Sequence, residues 1–157
     1  MIRDMRRNGA QPKDTMHKAD VAMVTGMGVV IKDATTVTLP SDETASNIYV
    51  ATKERVPSGI NAARRDMPDY DEDFVNIASG EFIGLERYTD GEKFATDQFV
   101  ADDFPDSAVQ GFACSVGADG KWKKATVASH YVFNGIHKDN GHKLVVIRVE
   151  TDAVTNV

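Results

Sequence analysis

The chain has 157 residues, which predicts a single domain large enough to bury a core without disulfides or a structural metal. Apolar residues make up 41% and charged residues 27% of the sequence, as is ordinary for a globular protein. The formal charge of -6 argues against nonspecific nucleic-acid binding, because phosphate contact needs clustered Lys and Arg. The single cysteine, Cys114, excludes an internal disulfide framework, and we interpret it as a buried structural thiol.

The sequence predicts neither a membrane span nor a secretory signal. No apolar run approaches the ~20 residues that are needed to cross a bilayer. Residues 1–18 carry several charges but no apolar segment, unlike a signal peptide. We therefore expect a protein that has no membrane partner and stays in the cytoplasm where it is made.

Residues 1–19 differ from the rest of the chain in charge. They hold five basic and two acidic residues, a net charge of +3, so the other 138 residues carry -9. The segment has few apolar residues, no hydrophobic period and an interruption at Gly9 and Pro12. This pattern predicts an extended N-terminal arm outside a single domain of residues 20–157. Two interpretations stay open: a frayed terminus without a role, or an arm that orders against an acidic partner.

Short runs of β-type residues begin at Asp20. In chain order they are ADVAMVT, GVVIK, TTVTLP, NIYVATK and FVNI, and turn residues separate them. In TTVTLP, Val37 and Leu39 share one face, and Pro40 ends the run. A short helical turn is expected at INAARRD, residues 60–66.

The second half of the chain contains four Asp-Gly or Asn-Gly pairs, which are strong signals for tight hairpins. The stretch GEFIGLERYTDGEKFATDQF predicts a hairpin that turns at residues 89–92, and FACSVGADGKWKKAT predicts another that turns at Asp119-Gly120. HYVF and HKLVVIRVE follow, separated by the last two pairs; in the final run Val145, Ile147 and Val149 share one face. About ten strands without a long helix predict an all-β fold, either a small barrel or a sandwich.

No cluster of reactive side chains predicts a catalytic or metal site. Within the acidic run of residues 66–73, Asp69, Asp71 and Asp73 begin like a calcium loop, but Phe74 occupies the position of the sharp-turn glycine and Gly80 that of the bidentate acid. Irregular cation binding there stays open as an alternative to a solvated loop. His137 and His142 lack an evident third zinc ligand. We therefore predict no catalytic residue, no metal and no cofactor, and we assign Trp122 to the core.

The ordered motifs NIYVATKERVPSGINAARRDMPDYDEDF, SGEFIGLERYTDGEKFATDQF, GADGKWKKAT and GHKLVVIRVE resemble small virion structural proteins of tailed bacteriophages, especially head-decoration or capsid-stabilising proteins. The resemblance covers roughly residues 20–150 and lies in the general pattern. It implies a small β-rich domain that sits on the assembled capsid, often in threefold clusters, and clamps it with an N-terminal arm. The implied partner is the major capsid protein, the implied assembly is a homotrimer, and the implied location is the capsid surface of the virion.

The function expected from this resemblance is a decoration protein that binds and stabilises the outer surface of a phage capsid, without enzymatic activity. The expected capsid-binding residues are the basic residues of the arm, Arg3, Arg6, Arg7, Lys13 and Lys18. One alternative is a structural protein of the phage tail or baseplate. Another, from a different class, is a hydrolase or carbohydrate-binding module that uses the carboxylates of residues 66–73 and exposed aromatic side chains.

Overall fold

The computed structural model describes residues 1–9, 13–53 and 75–156. The regular secondary structure of the described residues is almost all strand, which confirms the predicted all-β fold. The strands are β1 (Ile2–Arg6), β2 (Asp14–Ala19), β3 (Met23–Val24), β4 (Gly28–Ile31), β5 (Thr36–Thr38), β6 (Tyr49–Thr52), β7 (Asn76–Ile77), β8 (Phe82–Glu86), β9 (Lys93–Thr96), β10 (Ala113–Val116), β11 (Trp122–Lys124), β12 (Ser129–Asp139) and β13 (His142–Val154). A 3-10 turn, Ala101–Asp103, follows β9, and no helix within the described ranges is long and apolar enough to cross a membrane.

The strands form three hydrogen-bonded groups. Strands β2, β5, β4, β6 and β8 close into a barrel, which confirms that a barrel is present. A six-stranded sheet has the order β1, β9, β13, β12, β10, β11, and β3 pairs with β7. The chain therefore starts in the six-stranded sheet, builds the barrel and returns to the sheet at β9.

Two apolar cores correspond to the barrel and the sheet. Val29 and Val37 are fully buried inside the barrel. Beneath the sheet, the rings of Phe94 and Trp122 lie 5.2 Å apart between centroids, and both side chains are fully buried. The predicted apolar face of the last strand, Val145, Ile147 and Val149, belongs to this second core, as expected.

The opposite face of β13 is buried as well. Leu144 is 0% and Val146 7% exposed, and both belong to a small cluster with Met1 and Ala95. Alternation along β13 therefore separates two buried faces, instead of separating a buried face from a solvated one.

Two of the predicted hairpins are confirmed. β10 and β11 pair antiparallel around Gly120, which has a φ of +76°. β12 and β13 pair up to Asp139 and His142, so that Asn140 and Gly141 form a two-residue loop. Their φ angles of +48° and +82° match the type I′ turn that favours Asn-Gly.

The hairpin predicted at residues 89–92 is wrong, although the turn itself forms. The Glu92 N–H donates to the Thr89 carbonyl at 2.9 Å. However, β8 pairs with β2 and β6 in the barrel, whereas β9 pairs with β1 and β13 in the sheet. The turn connects two sheets because a β-turn reverses the chain locally without fixing the partner of either strand.

The Asn134-Gly135 pair also makes no turn between strands. Both residues lie inside β12, where the register to β13 shifts between Phe133 and Ile136. Gly135 has a φ of +114°, which suits a β-bulge at this shift.

The described residues of the 1–19 segment correct the prediction of an extended arm outside the domain. β1 pairs with β9 from Ile2 and Thr96 to Arg6 and Lys93, and β2 is a barrel strand between β5 and β8. The Met1 side chain is only 3% exposed. Main-chain hydrogen bonds to a neighbouring strand hold a segment without requiring many apolar side chains, so low apolar content was a poor guide.

Two further predictions lie outside the described residues. They are the helical turn at residues 60–66 and the acidic loop at residues 66–73, for which cation binding was left open.

Candidate functional site

The five basic residues predicted to contact a capsid divide into two groups. The first group makes ion pairs with the domain itself. Arg3 Nε lies 2.8 Å from Asp139 Oδ2 at the end of β12. Lys13 Nζ lies 3.0 Å from Glu86 Oε1 at the end of β8. Both side chains therefore tie the N-terminal strands to other parts of the fold.

Arg7, the third member of this group, enters a partly buried polar network. Its guanidinium carbon lies 4.2 Å from the ring centroid of Tyr88, and its Nε lies 3.8 Å from Glu92 Oε1. The Tyr88 hydroxyl donates to Asp4 Oδ1 at 2.5 Å, and Glu86 Oε2 lies 3.0 Å from the same hydroxyl oxygen as an alternative acceptor. Burial, and then the hydrogen bond to Asp4, raises the pKa of Tyr88 well above its usual value. The phenol therefore stays a hydrogen-bond donor that holds β1 in place.

Glu92 is the buried acid of this network, with 0% exposure. Its carboxylate accepts the Asn8 N–H at 2.8 Å and the Thr89 N–H at 2.7 Å. Burial acts to raise the pKa of Glu92, but these two amides and the Arg7 charge outweigh it and lower the pKa overall. Glu92 thus joins the end of β1 to the turn between the barrel and the sheet.

The other two predicted residues, Arg6 and Lys18, are exposed. Lys18 projects from the barrel wall beside two large apolar side chains, Met16 and Phe82, which are 76% and 55% exposed. Lys18 and Phe82 are directly paired across β2 and β8, and Lys18 Nζ lies 4.9 Å from the Phe82 ring centroid. We call Met16, Lys18 and Phe82 the outer barrel patch.

A second surface feature is a groove of about 900 Å³, within the range of about 300–1,000 Å³ typical of ligand sites. It lies between the loop of residues 43–48, the turn of residues 87–90 and the start of β12. Its lining includes the apolar side chains of Ile48, Val116 and Val149 and a rim of charged and hydroxyl groups. We call it the β10–β12 groove.

Two polar groups on the rim, Glu43 and Tyr131, are held by other parts of the fold. Glu43 bonds Thr126 and lies 3.1 Å from Lys123 Nζ. The Thr126 hydroxyl, and then Lys123, lowers the pKa of Glu43 to about 2, so this carboxylate is an anion at neutral pH and holds no proton to donate. Burial raises the pKa of Tyr131 to about 12, and its hydroxyl donates to the Ile48 carbonyl at 3.1 Å.

Among the described residues, no group of three or more His, Cys, Asp or Glu side chains could hold a metal ion. His130 Nδ1 lies 3.1 Å from the Glu150 carbonyl. Cys114 is fully buried, as predicted, and burial raises the pKa of its thiol above the usual value. A buried thiol of this kind is unreactive.

Sequence reasoning missed the groove and, apart from Lys18, the outer barrel patch. The outer barrel patch had a local signal, since Met16 and Lys18 alternate with His17 and Ala19, which are buried. That alternation is informative only once the segment is assigned to a strand. The groove had no local signal, because its walls come from distant parts of the chain.

No protein-family model, no curated protein and no solved structure matches this chain.

Proposed function

We propose that the protein is a structural component of a bacteriophage particle that binds the outer surface of the capsid and stabilises it. The outer barrel patch is the observation that carries the proposal. The Phe82 ring is exposed 4.9 Å from the Lys18 ammonium, and Met16 is exposed two residues before Lys18 on the same strand. Large exposed apolar side chains that lie near one another on a surface are typical of sites that bind other proteins. The resemblance of the sequence to decoration proteins supplies the partner, the major capsid protein.

A preformed β surface suits attachment to a repeating lattice. β1 and β2 are paired within sheets, so the proposed contact is a rigid face and not an arm that becomes ordered on binding. A rigid face loses little conformational entropy when it binds. Several copies on one shell, as in a trimer at a local threefold position, would strengthen weak individual contacts through avidity.

Binding to capsids that lack the protein tests the proposal. Wild-type protein should sediment with such capsids, and the double variant M16S/F82S should bind at least about tenfold more weakly, because burial of each large apolar side chain contributes roughly 1.5–3 kcal/mol. Val109→Ser is the matched control, since Val109 is 81% exposed and lies outside the patch. Both variants should keep the wild-type melting temperature, because the replaced side chains are exposed.

Fractionation of phage particles separates the proposal from its alternatives. Mass spectrometry of purified heads and tails should find the protein with the heads. Recovery with tails alone would replace the capsid proposal with a tail or baseplate role. Absence from purified particles would refute a virion role, and retention on a polysaccharide column would then favour a carbohydrate-binding module.

A further inference from the structure

The chain contains three Asn-Gly pairs, Asn8-Gly9, Asn134-Gly135 and Asn140-Gly141. Asparagine is a chemically labile residue, and a following glycine makes it more so, because glycine has no Cβ to hinder attack by its main-chain nitrogen on the side chain before it. The reaction also requires that the carboxamide and the next peptide group can move towards each other. The surroundings of each pair in the fold therefore decide which of them reacts.

Asn8 is held through both its main chain and its side chain. Its N–H donates to Glu92 Oε1 at 2.8 Å, and its Nδ2 donates to the Asp90 carbonyl at 2.7 Å. Glu92 is fully buried, so water does not compete for the first bond. The second bond fixes the carboxamide on the turn of residues 89–92, away from attack by the Gly9 nitrogen.

The second pair, Asn134 and Gly135, lies inside β12, and both residues are half-buried. The preceding residue, Phe133, is fully buried. Its N–H donates to the Phe112 carbonyl and its carbonyl accepts the Gly111 N–H, both at 2.9 Å. Rotation of the Asn134–Gly135 peptide would disturb this strand, so reaction there requires that part of the sheet opens first.

The third pair, Asn140 and Gly141, forms the loop at the tip of the β12–β13 hairpin, where both residues are exposed. Among the described residues, the Asn140 carboxamide has no hydrogen-bond partner, and the Gly141 N–H, which lies outside the strands, has no main-chain acceptor. A Cβ built on Gly141 would have no atom within 4 Å, so the space around its nitrogen is open. Asn140 is thus the one asparagine of the three that the fold leaves unrestrained.

We propose that Asn140 is a site of spontaneous deamidation. The Gly141 nitrogen loses its proton to a base in the solvent and attacks Asn140 Cγ, and the C–N bond of the carboxamide breaks. The carboxamide nitrogen takes up a proton from water and leaves as ammonia, and a cyclic succinimide remains. Water then opens the ring at either carbonyl carbon, which gives aspartate or isoaspartate. The inference goes beyond the capsid role and does not depend on it.

The product changes the place where the hairpin meets β1. The new carboxylate follows Asp139, whose Oδ2 lies 2.8 Å from Arg3 Nε. Isoaspartate also adds a methylene group to the main chain of a two-residue loop, so this product no longer fits the type I′ turn that Asn140 and Gly141 make.

Peptide mapping by mass spectrometry tests the inference on the native protein. Samples are taken over several weeks at mildly alkaline pH, and the amide-to-acid conversion of all three asparagines is measured in the same digest. Asn140 should convert at least about tenfold faster than Asn8 and Asn134, because local opening has to precede reaction at the two restrained sites. In protein unfolded by urea the three rates should come within about threefold of one another, since the restraints of the fold are then absent.

Two variants assign the change of charge to the hairpin tip. Asn140→Gly removes the carboxamide and keeps the turn, because glycine readily adopts the φ of +48° found here. This variant should abolish the acidic species that accumulates in isoelectric focusing of the wild type, whereas Asn134→Ser should leave its rate within about twofold. The inference is overturned if Asn140 stays an amide, if Asn8 or Asn134 converts as fast in the native protein, or if Asn140→Gly accumulates the acidic species at the wild-type rate.

Discussion

Replacing Glu92 with Gln removes a buried charge while keeping the shape of the side chain. In the wild type, the two carboxylate oxygens accept the N–H groups of Asn8 and Thr89 at 2.8 and 2.7 Å, and Arg7 Nε lies 3.8 Å away. The amide of Gln has one oxygen and one NH₂ group. In the variant, one main-chain N–H therefore faces another donor, and Arg7 loses its counter-charge.

The size of the effect follows from these contacts. A hydrogen bond to a charged group contributes roughly 1.5–3 kcal/mol, and a buried donor left without an acceptor costs a further 1–3 kcal/mol or so. Glu92 is 0% exposed, so water cannot replace the lost acceptor. We expect Glu92→Gln to lower the free energy of unfolding by about 2–4 kcal/mol, a large part of the roughly 5–15 kcal/mol typical of a domain.

Urea denaturation followed by tryptophan fluorescence measures this difference. Trp122 is the only tryptophan and is fully buried, so its emission reports global unfolding. Asp102→Asn removes a charge from an exposed position and serves as the control, with an expected change below about 0.5 kcal/mol. The slope of the unfolding free energy against urea should be the same for all three proteins.

The pH dependence supplies a second, independent check. Because the folded-state pKa of Glu92 is lowered, its contribution is complete above the unfolded value of about 4.3 and is lost as the pH falls through the folded value. The stability difference between wild type and Glu92→Gln should therefore shrink towards pH 3. An unchanged stability at pH 7, or a difference that grows on acidification, would refute the assignment of Glu92 as an ionised anchor.

Three further predictions concern the edges and the core of the fold. Deletion of residues 1–9 should destabilise the domain by at least about 3 kcal/mol in urea denaturation, because it removes β1 and leaves Glu92 buried without Arg7; a solvated arm would leave the midpoint unchanged. Asn156→Asp should lower stability by about 1–3 kcal/mol, because the Asn156 amide donates to the carbonyls of Ala113 and Ala125 at 2.9 and 2.7 Å and a carboxylate cannot; the exposed Asn76→Asp is its control. Cys114 should react with a thiol reagent only after unfolding, since it is fully buried and its pKa is raised; rapid labelling of the native protein would contradict this.

The sequence predicted the class of fold because strand alternation and tight turns are local signals. The Asn140-Gly141 loop shows this most clearly, since both residues adopt the positive φ that a type I′ turn demands. The apolar face of β13 was predicted for the same reason, as every second residue packs in one core.

Strand partners were not predictable in the same way. The Thr89–Glu92 turn has the residues of a hairpin, yet the main chain of Gly91 bonds to Val149 of β13, far along the chain. Which sheet receives β9 depends on packing of Phe94 against Trp122, a contact that no window of sequence around the turn contains. The groove is beyond local reasoning for the same reason, because it exists only where β10 and β12 part.

The charge asymmetry of the N-terminal segment has its explanation inside the molecule. The excess of positive charge in residues 1–19 suggested a partner of opposite sign. In the structure, Arg3, Lys13 and Arg7 lie 2.8, 3.0 and 3.8 Å from carboxylates of β12, β8 and the β8–β9 turn, so the acidic body of the same chain is that partner. Substitutions at these three positions should therefore lower the free energy of unfolding, and any effect on association should be a consequence of that loss of stability. A surface contact with another protein has to come from groups that the fold leaves outside, and on β2 that group is Lys18 with its apolar neighbours, at the far end of the strand from the Lys13 ion pair.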